Sequence, residues 1–207
     1  MADFDRMAHW QAVYTTKDED EVSWFEENPD HSLELISKAK AGLNTSVVDV
    51  GGGASRLVDA LVAGGQSHIT VVDLSAAALA TAKGRLPSAN NVTWVVSDIT
   101  RWKPDGAFDI WHDRAAFHFL TDSTDQGSYV EVMAKALKPS GIAIIGTFAP
   151  TGPERCSGLP VARHDAASLT EILGSRFRLL YSEPHQHVTP WNTVQDFQFS
   201  IFEKRST

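Results

Sequence analysis

The segment Val47-Val48-Asp49-Val50-Gly51-Gly52-Gly53-Ala54-Ser55 decides the fold of this 207-residue chain. Its apolar run predicts a buried strand. Its glycines predict a tight turn, because glycine adopts positive φ and lets a ligand approach the backbone. A helix is expected from Arg56 to Ala63, ending at Gly64-Gly65. The turn should therefore form a ligand crevice at the carboxyl end of a first strand.

Asp49 distinguishes between the two kinds of ligand that bind at such a turn. A dinucleotide site carries Gly-x-Gly-x-x-Gly with a diphosphate at the helix N-terminus, whereas this chain has an acid two residues before Gly51. A carboxylate there would repel a diphosphate and attract the ammonium of an amino-acid ligand. The motif favours S-adenosylmethionine (SAM) over a nicotinamide cofactor, and a glycine-rich loop without a ligand stays open on this motif alone.

Length and composition indicate one globular domain over residues 1–207. No apolar run reaches the roughly 18 residues needed to cross a membrane, and the segment Met1 to Trp10 lacks the apolar core of a signal peptide. The single cysteine, Cys156, cannot form an internal disulfide. A cytoplasmic location is expected from this cysteine usage.

The net charge of −8 is concentrated near the start of the chain. Residues 17–30 hold seven acids against one lysine, which supplies −6 and leaves −2 elsewhere. No basic stripe is visible, so a nucleic-acid partner is disfavoured, because phosphate neutralisation supplies most of such affinity. The acidic segment is either a solvated face or a surface that attracts a cationic partner.

The N-terminal part is predicted to be helical over residues 5–41 and to form a lid, with the lid at 1–44 and the core at 45–207. Four aromatic residues of the lid are candidates for the site: Trp10, Tyr14, Trp24 and Phe25. Aromatic faces suit covering an adenosine or holding a methylsulfonium. We assign the first pair to the cofactor and the second pair to the substrate, with simple packing as the open alternative for each.

Two further predicted strands end in acids. The strand Ile69–Leu74 contains Asp73, which lies 22 residues past Gly51 and can accept both hydroxyls of a ribose. The strand Val92–Val96 runs into Ser97-Asp98-Ile99, where the acid can accept from an adenine amino group. Three acids at the ends of three successive strands predict one adenosine site, although helix capping is an alternative for each acid taken alone.

The remaining chain continues the alternation and then changes character. A fourth strand is predicted at Phe108–His112, a helix at Gln126–Lys138 and a fifth strand at Ile142–Phe148, which indicates a parallel sheet with right-handed crossovers. After a loop at residues 150–160 and a short helix, two strands are predicted within residues 177–201. These two strands should form an antiparallel edge pair.

Taken together, the chain resembles the class I SAM-dependent methyltransferases over residues 45–203. The resemblance rests on these pieces: Asp49-x-Gly51-x-Gly53, Asp73, Asp98-Ile99, Phe108-Asp109 and Leu137-Lys138-Pro139-x-Gly141. It implies an α/β, doubly wound, mostly parallel seven-stranded sheet in the order 3-2-1-4-5-7-6, with helices on both faces. Ser55 and Ser140 depart from the family pattern, which commonly has glycine at both positions.

The resemblance also implies SAM as the cofactor and a place for each of its parts. The methionine moiety is expected near Asp49, Gly51 and Gly53. The ribose is expected on Asp73 beside Leu74. The adenine is expected beside the Asp98-Ile99 pair.

A finer resemblance is to small bacterial methyltransferases of unassigned substrate and, more distantly, to the elongation-factor lysine methyltransferases. In the latter, strand four leads into Asp-Lys-Gly-x-x-Asp, whereas this chain has Asp113-Arg114-Ala115-Ala116-Phe117-His118. His118 replaces the last acid, which weakens the transfer of a lysine substrate. We expect methyl transfer to a small-molecule O, N or S nucleophile; the alternatives are a protein lysine methyltransferase and a SAM-binding interaction protein without catalysis.

His118 and Asp113 are the candidate catalytic residues. A histidine with an ordinary pKa near 6.5 can take a proton from a hydroxyl, thiol or imidazole, and packing at a helix start is its alternative role. Arg114 and His187 are candidate substrate contacts. The pair His185-x-His187 could share a metal, but bracketing prolines predict a loop there and no Cys-x-x-Cys accompanies it, so no metal is expected.

Overall fold

The computed structural model describes residues 5–39 and 42–206. Residues 1–4 and 40–41 of the predicted lid therefore lie outside the described residues. The helices are α1 (Arg6–Thr16), α2 (Asp30–Lys38), α3 (Leu57–Ala63), α4 (Ala76–Arg85), α5 (Ser123–Ala136) and α6 (Ala166–Leu173). The strands are β1 (Ser46–Val50), β2 (His68–Asp73), β3 (Val92–Val96), β4 (Phe108–Arg114), β5 (Leu137–Phe148), β6 (Arg155–Cys156), β7 (Leu159–Pro160), β8 (Phe177–Val188) and β9 (Val194–Lys204).

Seven strands form one sheet in the order β3-β2-β1-β4-β5-β9-β8. Strands β1 to β5 run parallel to one another, whereas β9 is antiparallel to both β5 and β8. Because β8 and β9 are the sixth and seventh strands of this sheet, the predicted order and the antiparallel edge pair are confirmed. The strands β6 and β7 form a small separate hairpin inside the predicted loop 150–160.

The core lies on both faces of the sheet because side chains alternate along each strand. Ile110 and Trp111 of β4 show this: the first packs in a cluster with α2 and α3, and the second in a cluster with α5 and α6. Both side chains are fully buried. The parallel register of the strands places the carboxyl ends of β1, β2 and β4 side by side, at the end of the sheet where these strands stop.

The prediction of continuous helix over residues 5–41 was wrong for residues 17–29, which we call the strap. The strap contains turns and irregular backbone between α1 and α2. Two features oppose helix there: four consecutive acids at 18–21 repel one another, and Pro29 restricts the residue before it. Glu19 of the strap instead forms ion pairs with Arg56 and Arg85.

The predicted loop around His185 and His187 was also wrong, because both residues lie in β8. Pro184 is accommodated there because β8 is the last strand at one edge of the sheet, where a missing N–H is tolerated. Every residue from Phe177 to Val188 except Leu180 has a register partner in β9.

A buried hydroxyl in the core generates a stability prediction. The Tyr129 hydroxyl donates to Asp113 Oδ2 at 2.7 Å and accepts from Trp111 Nε1 at 2.7 Å. Tyr129→Phe leaves both groups unpaired, so the free energy of unfolding in urea should fall by about 1–3 kcal/mol. Tyr181→Phe is the matched control, because its buried hydroxyl has no partner among the described residues, and it should change stability little. Equal losses in the two variants would contradict this account.

Candidate active site

A cleft of about 780 Å³ lies at the carboxyl ends of β1, β2 and β4, beneath α1. It brings together most of the residues that sequence reasoning placed around a cofactor. The predicted residues that line it are Trp10, Tyr14, Trp24, Gly51, Asp73, Leu74, Asp98, Ile99 and Arg114. Segments far apart in the chain therefore meet at one edge of the sheet, as the strand-end pattern predicts.

The glycine turn is shaped by its neighbours. Gly51 and Gly53 have φ of 66° and 49°, in the left-handed region that favours glycine. A Cβ on Gly51 would lie 2.6 Å from Ala116 Cβ, and a Cβ on Gly52 would lie 2.5 Å from Asp49 Oδ2. The turn thus adds no side chain of its own beside the Asp49 carboxylate.

The Asp49 carboxylate is held on one side only. Its Oδ1 accepts from His112 Nδ1 at 2.8 Å, and His112 Nε2 lies 3.0 Å from Ser32 Oγ. Because Nδ1 faces a carboxylate, it carries the proton, and Nε2 accepts from the serine hydroxyl. All three side chains are buried. Asp49 Oδ2 is buried with no partner among the described residues, and such an oxygen suits a ligand donor such as an ammonium.

Asp73 is a second buried carboxylate, in the wall of the cleft. Its Oδ1 accepts from the Ser75 backbone N–H at 2.7 Å. Burial raises the pKa of Asp73 to about 7, with a further upward contribution from Asp49, and backbone donors from Ser75, Gly53 and Leu74 oppose the rise. The carboxyl therefore changes charge near neutral pH, and hydroxyl donors of a ligand would stabilise its ionised form.

Aromatic rings cover the cleft. The Trp10 ring lies 5.6 Å from Trp24 and 4.9 Å from Phe119, both edge to face. Tyr14 accepts from Trp24 Nε1 at 3.2 Å, and burial raises the pKa of the Tyr14 phenol well above its ordinary value. These rings link α1 and the strap to the segment after β4, and all of them line the cleft.

A second cavity of about 570 Å³ adjoins the cleft. Its wall includes Tyr14, Trp24, Gly51 and Arg114, which also line the cleft. Of the predicted substrate residues, Trp24, Phe25 and Arg114 line this cavity, whereas His187 lines a wider opening of about 1010 Å³ next to it. The second cavity and the wider opening share Phe25 and Glu26.

Arg114 and Glu26 form a largely buried ion pair in the wall of the second cavity. Arg114 Nη2 lies 2.8 Å from Glu26 Oε1, and Arg114 Nη1 donates to the Trp24 carbonyl at 3.0 Å. His187 Nδ1 lies 3.2 Å from both Arg114 Nη2 and Glu26 Oε1, and its Nε2 donates to the Ser23 carbonyl. Although burial works against it, contacts with His187 and Arg114 lower the pKa of Glu26, so this carboxyl stays ionised.

His118 and Asp113 lie outside the lining of the cleft and of the second cavity. His118 is fully buried, its Nδ1 accepts from the Phe148 N–H at 3.3 Å, and burial lowers its pKa to about 3, helped by His164 and Arg114. Asp113 Oδ1 accepts from the N–H groups of Ala116 and Phe117. These contacts hold the turn after β4; the catalytic roles of both residues stay predictions.

Sequence reasoning did not single out Ser32 or Glu26. Glu26 is one of seven acids in a run that looks solvated, and its contacts are with residues 88 or more positions away, which no local pattern reveals. Ser32 sits in the first turn of α2, where serine is ordinary. Their positions become apparent only from tertiary contacts: Glu26 of the strap pairs with Arg114, and Ser32 of α2 contacts His112.

Metal ligands and membrane spans were searched over residues 5–39 and 42–206. No group of three or more His, Cys, Asp or Glu residues there could hold a metal ion. His185 stacks on His31 with ring centroids 4.0 Å apart. No helix in this part of the chain has the length and apolar character to cross a membrane.

Comparisons with known proteins match the chain to methyltransferases. A family model described as "Methyltransferase domain" matches residues 47–141. Nodulation protein S of Rhizobium tropici and of Sinorhizobium fredii (strain NBRC 101917 / NGR234) are each 24% identical over 143 residues, or 69% of this chain. The alignments span 60% and 66% of those two relatives, so the chain matches less than two thirds of their length.

Solved structures show the same fold. The N-methyltransferase NodS from Bradyrhizobium japonicum WM9, in complex with S-adenosylhomocysteine (SAH), aligns with a TM-score of 0.75 at 17% identity, covering 98% of this chain and 100% of that one. The 1,6-didemethyltoxoflavin-N1-methyltransferase of Burkholderia thailandensis aligns with a TM-score of 0.75 at 19% identity, covering 100% and 93%. Residues 47–141 therefore match a methyltransferase domain, and the chain shares its fold with these SAM-dependent methyltransferases.

The close packing around Gly52 leads to a first testable prediction about the site. Gly52→Ala should weaken SAM binding at least about tenfold, because the new Cβ would collide with Asp49 Oδ2 and Val71 Cγ1 and displace the unpaired oxygen. Isothermal titration measures the loss. Gly84→Ala is the control, since nothing lies within 4 Å of its Cβ position. Unchanged affinity in Gly52→Ala would show that the cofactor does not use this carboxylate.

The raised pKa of Asp73 generates the second site prediction. If ribose hydroxyls donate to this carboxylate, SAM binds the ionised form, so affinity should fall as pH drops below the pKa of about 7. The loss should approach about tenfold per pH unit, the limit for one proton. Titrations from pH 8 to pH 6 measure it, and Asp73→Asn should flatten the profile. A flat profile in the unmodified protein would contradict the assignment.

Proposed function

We propose that this protein transfers the methyl group of SAM to a small-molecule nucleophile. The observation that carries the proposal is the buried, unpaired Asp49 Oδ2 beside a glycine turn that leaves no side chain over it. When bound, SAM supplies a methyl carbon, and its sulfur keeps the electron pair of the broken S–C bond as the acceptor's lone pair forms the new bond. We also propose that residues 1–207 form a single domain.

The residues of the cleft, together with Asp49 in the wall of the adjoining second cavity, fit the parts of the cofactor. Asp49 with Gly51 and Gly53 would hold the methionine ammonium and backbone. Asp73 beside Leu74 would accept from the ribose. Asp98 and Ile99 would hold the adenine: Asp98 Oδ1 accepts from Thr100, and Oδ2 has no hydrogen bond among the described residues. Trp10 and Tyr14 would cover the bound molecule and exclude water.

The second cavity supports a small acceptor, which the chain would hold with Trp24, Phe25, Arg114 and His187. It shares Tyr14, Trp24, Gly51 and Arg114 with the cleft, and residues of the strap and of α1 line both spaces. The structural neighbours include proteins named as N-methyltransferases. Holding the acceptor in line with the methyl group can contribute roughly 7–11 kcal/mol toward lowering the barrier.

His118 enters this proposal as a packing residue. With Nδ1 accepting from Phe148, the neutral ring carries its proton on Nε2 and has no free lone pair to act as a base. His118→Asn kinetics would test the earlier prediction: a base would lose about 10²–10⁴ in kcat with an acceptor that must be deprotonated. Unchanged kcat in a folded variant would support the packing role.

The function is tested by binding and turnover together. Titration should give one SAM per chain, and a panel of small metabolites should include one that drives SAH release. Asp73→Ala should weaken SAM binding by about tenfold or more, since hydrogen bonds to charged groups contribute about 1.5–3 kcal/mol each. Glu171→Ala, an exposed acid on α6, is the control. Absence of SAM binding would refute the proposal.

The turnover assay also separates the alternatives. SAM binding without SAH release for any acceptor would support a SAM-binding interaction protein. Methylation of a purified protein lysine in preference to every metabolite would support a protein lysine methyltransferase.

A further inference from the structure

We infer that Glu26 selects an acceptor that carries an amine, attracting it as an ammonium ion into the second cavity. The inference rests on the proposed function and names the substrate class of that same site. It follows from the position of Glu26, from its unused carboxylate oxygen and from the charge balance of the cavity.

Glu26 stands where an acceptor would pass. It lines the second cavity, which adjoins the cofactor cleft, and it also lines the wider opening toward solvent. Phe25 shares this position, and Trp24 and Tyr14 continue the wall into the cleft. A molecule that moves from solvent toward the cofactor therefore passes a carboxylate and then aromatic faces. Both attract organic cations.

The Glu26 carboxylate is oriented with one oxygen free. Oε1 takes all of its contacts, from Arg114 Nη2 at 2.8 Å and from His187 Nδ1 at 3.2 Å. Oε2 has no hydrogen bond or ion pair among the described residues. The side chain is 18% exposed, so a ligand can reach it. Arg114 and His187 thus hold the carboxylate in place while Oε2 can accept from an N–H group.

The charge balance of the cavity disfavours an anionic acceptor. Of the three acids that line it, Glu19 is paired with Arg56 and Arg85, and Asp49 is assigned to the cofactor ammonium. Glu26 and Arg114, the one lysine or arginine of the lining, are the charges that remain for an acceptor. Arg114 has its Nη2 on Glu26 and its Nη1 on the Trp24 carbonyl. No lysine or arginine of the lining is therefore left for a carboxylate or phosphate.

Among the lining residues of the cavity no histidine or tyrosine is free to act as a base on a hydroxyl, and the lowered pKa of Glu26 makes its carboxylate a weak base. His112 has both ring nitrogens engaged, by Asp49 and Ser32, and Tyr14 has a raised pKa. An alcohol would need such a base, whereas an alkylammonium can give one proton to water at the open mouth. The neutral nitrogen then uses its lone pair to form the C–N bond of the proposed transfer, and the methylated product holds the positive charge.

The test measures which charge the cavity selects, without turnover. Protein saturated with SAH is titrated with three probes of matched size: 2-phenylethylammonium, 2-phenylethanol and 3-phenylpropanoate. The ammonium should bind at least about tenfold more tightly than either of the others, because a hydrogen bond to a charged group contributes about 1.5–3 kcal/mol. Glu26→Gln should remove about tenfold or more of this preference and improve binding of the carboxylate, since Arg114 is then no longer neutralised.

Glu27→Gln is the matched control. It removes the same charge from the next residue, which is exposed and lies outside the second cavity, so the preference for the ammonium should be kept. A general effect of negative charge would instead give equal losses in both variants, and that result would overturn the inference. Equal or tighter binding of the carboxylate by the unmodified protein, or no binding of the ammonium, would overturn it as well.

The outcomes separate this inference from the proposed function. Ammonium selectivity that depends on Glu26, in a protein that never releases SAH from SAM, would support the inference and refute methyl transfer. Failure to bind SAM and SAH at all would refute the proposed function and with it the inference. SAH release with an alcohol or carboxylate acceptor, and none with amines, would support methyl transfer and overturn the role of Glu26.

Discussion

The hydrogen bond between Asp49 and His112 is the constraint on which the site depends. The two residues are register partners on the neighbouring parallel strands β1 and β4, so their side chains emerge on the same face of the sheet. The bond fixes one carboxylate oxygen and leaves the other free beside the glycine turn. Ser32 extends the contact to α2, so the N-terminal helices are tied to the same point. Leaving a buried donor or acceptor unpaired costs free energy. Folding therefore favours the arrangement in which both ring nitrogens of His112 are paired, one with Asp49 and one with Ser32.

Glu19 and Glu26 anchor the strap to the rest of the protein at two different places. Glu19 pairs with Arg56, next to the glycine turn, and with Arg85 of α4. Glu26 pairs with Arg114 at the end of β4. The strong acidity of residues 17–30 is therefore partly internal charge balance rather than a fully solvated surface. Both ends of the strap are held across the carboxyl edge of the sheet, which explains why an irregular segment is ordered there.

The strand positions could be predicted from the sequence because their signals are local, whereas the strand order came from the resemblance to the class I methyltransferases. Apolar runs that end in Asp49, Asp73 and Asp98 give strand positions, and parallel strands bring those ends to one edge. The strap and the surroundings of His118 could not be predicted, because they depend on partners far away in the chain. His118 has the residue type of a base, but its Nδ1 meets the backbone of Phe148, and that meeting is a property of the packed core.

Pro184 has a consequence for how the molecule behaves among its neighbours. It lies in β8, at the edge of the sheet, where a strand presents unpaired backbone groups that another chain can extend. Proline has no N–H, so it interrupts the row of donors along that edge. Exposed polar residues on the same strand, among them Arg178 and Gln186, add charge and hydration. This edge thereby resists strand addition by a second molecule, which protects the chain from aggregating through its own sheet.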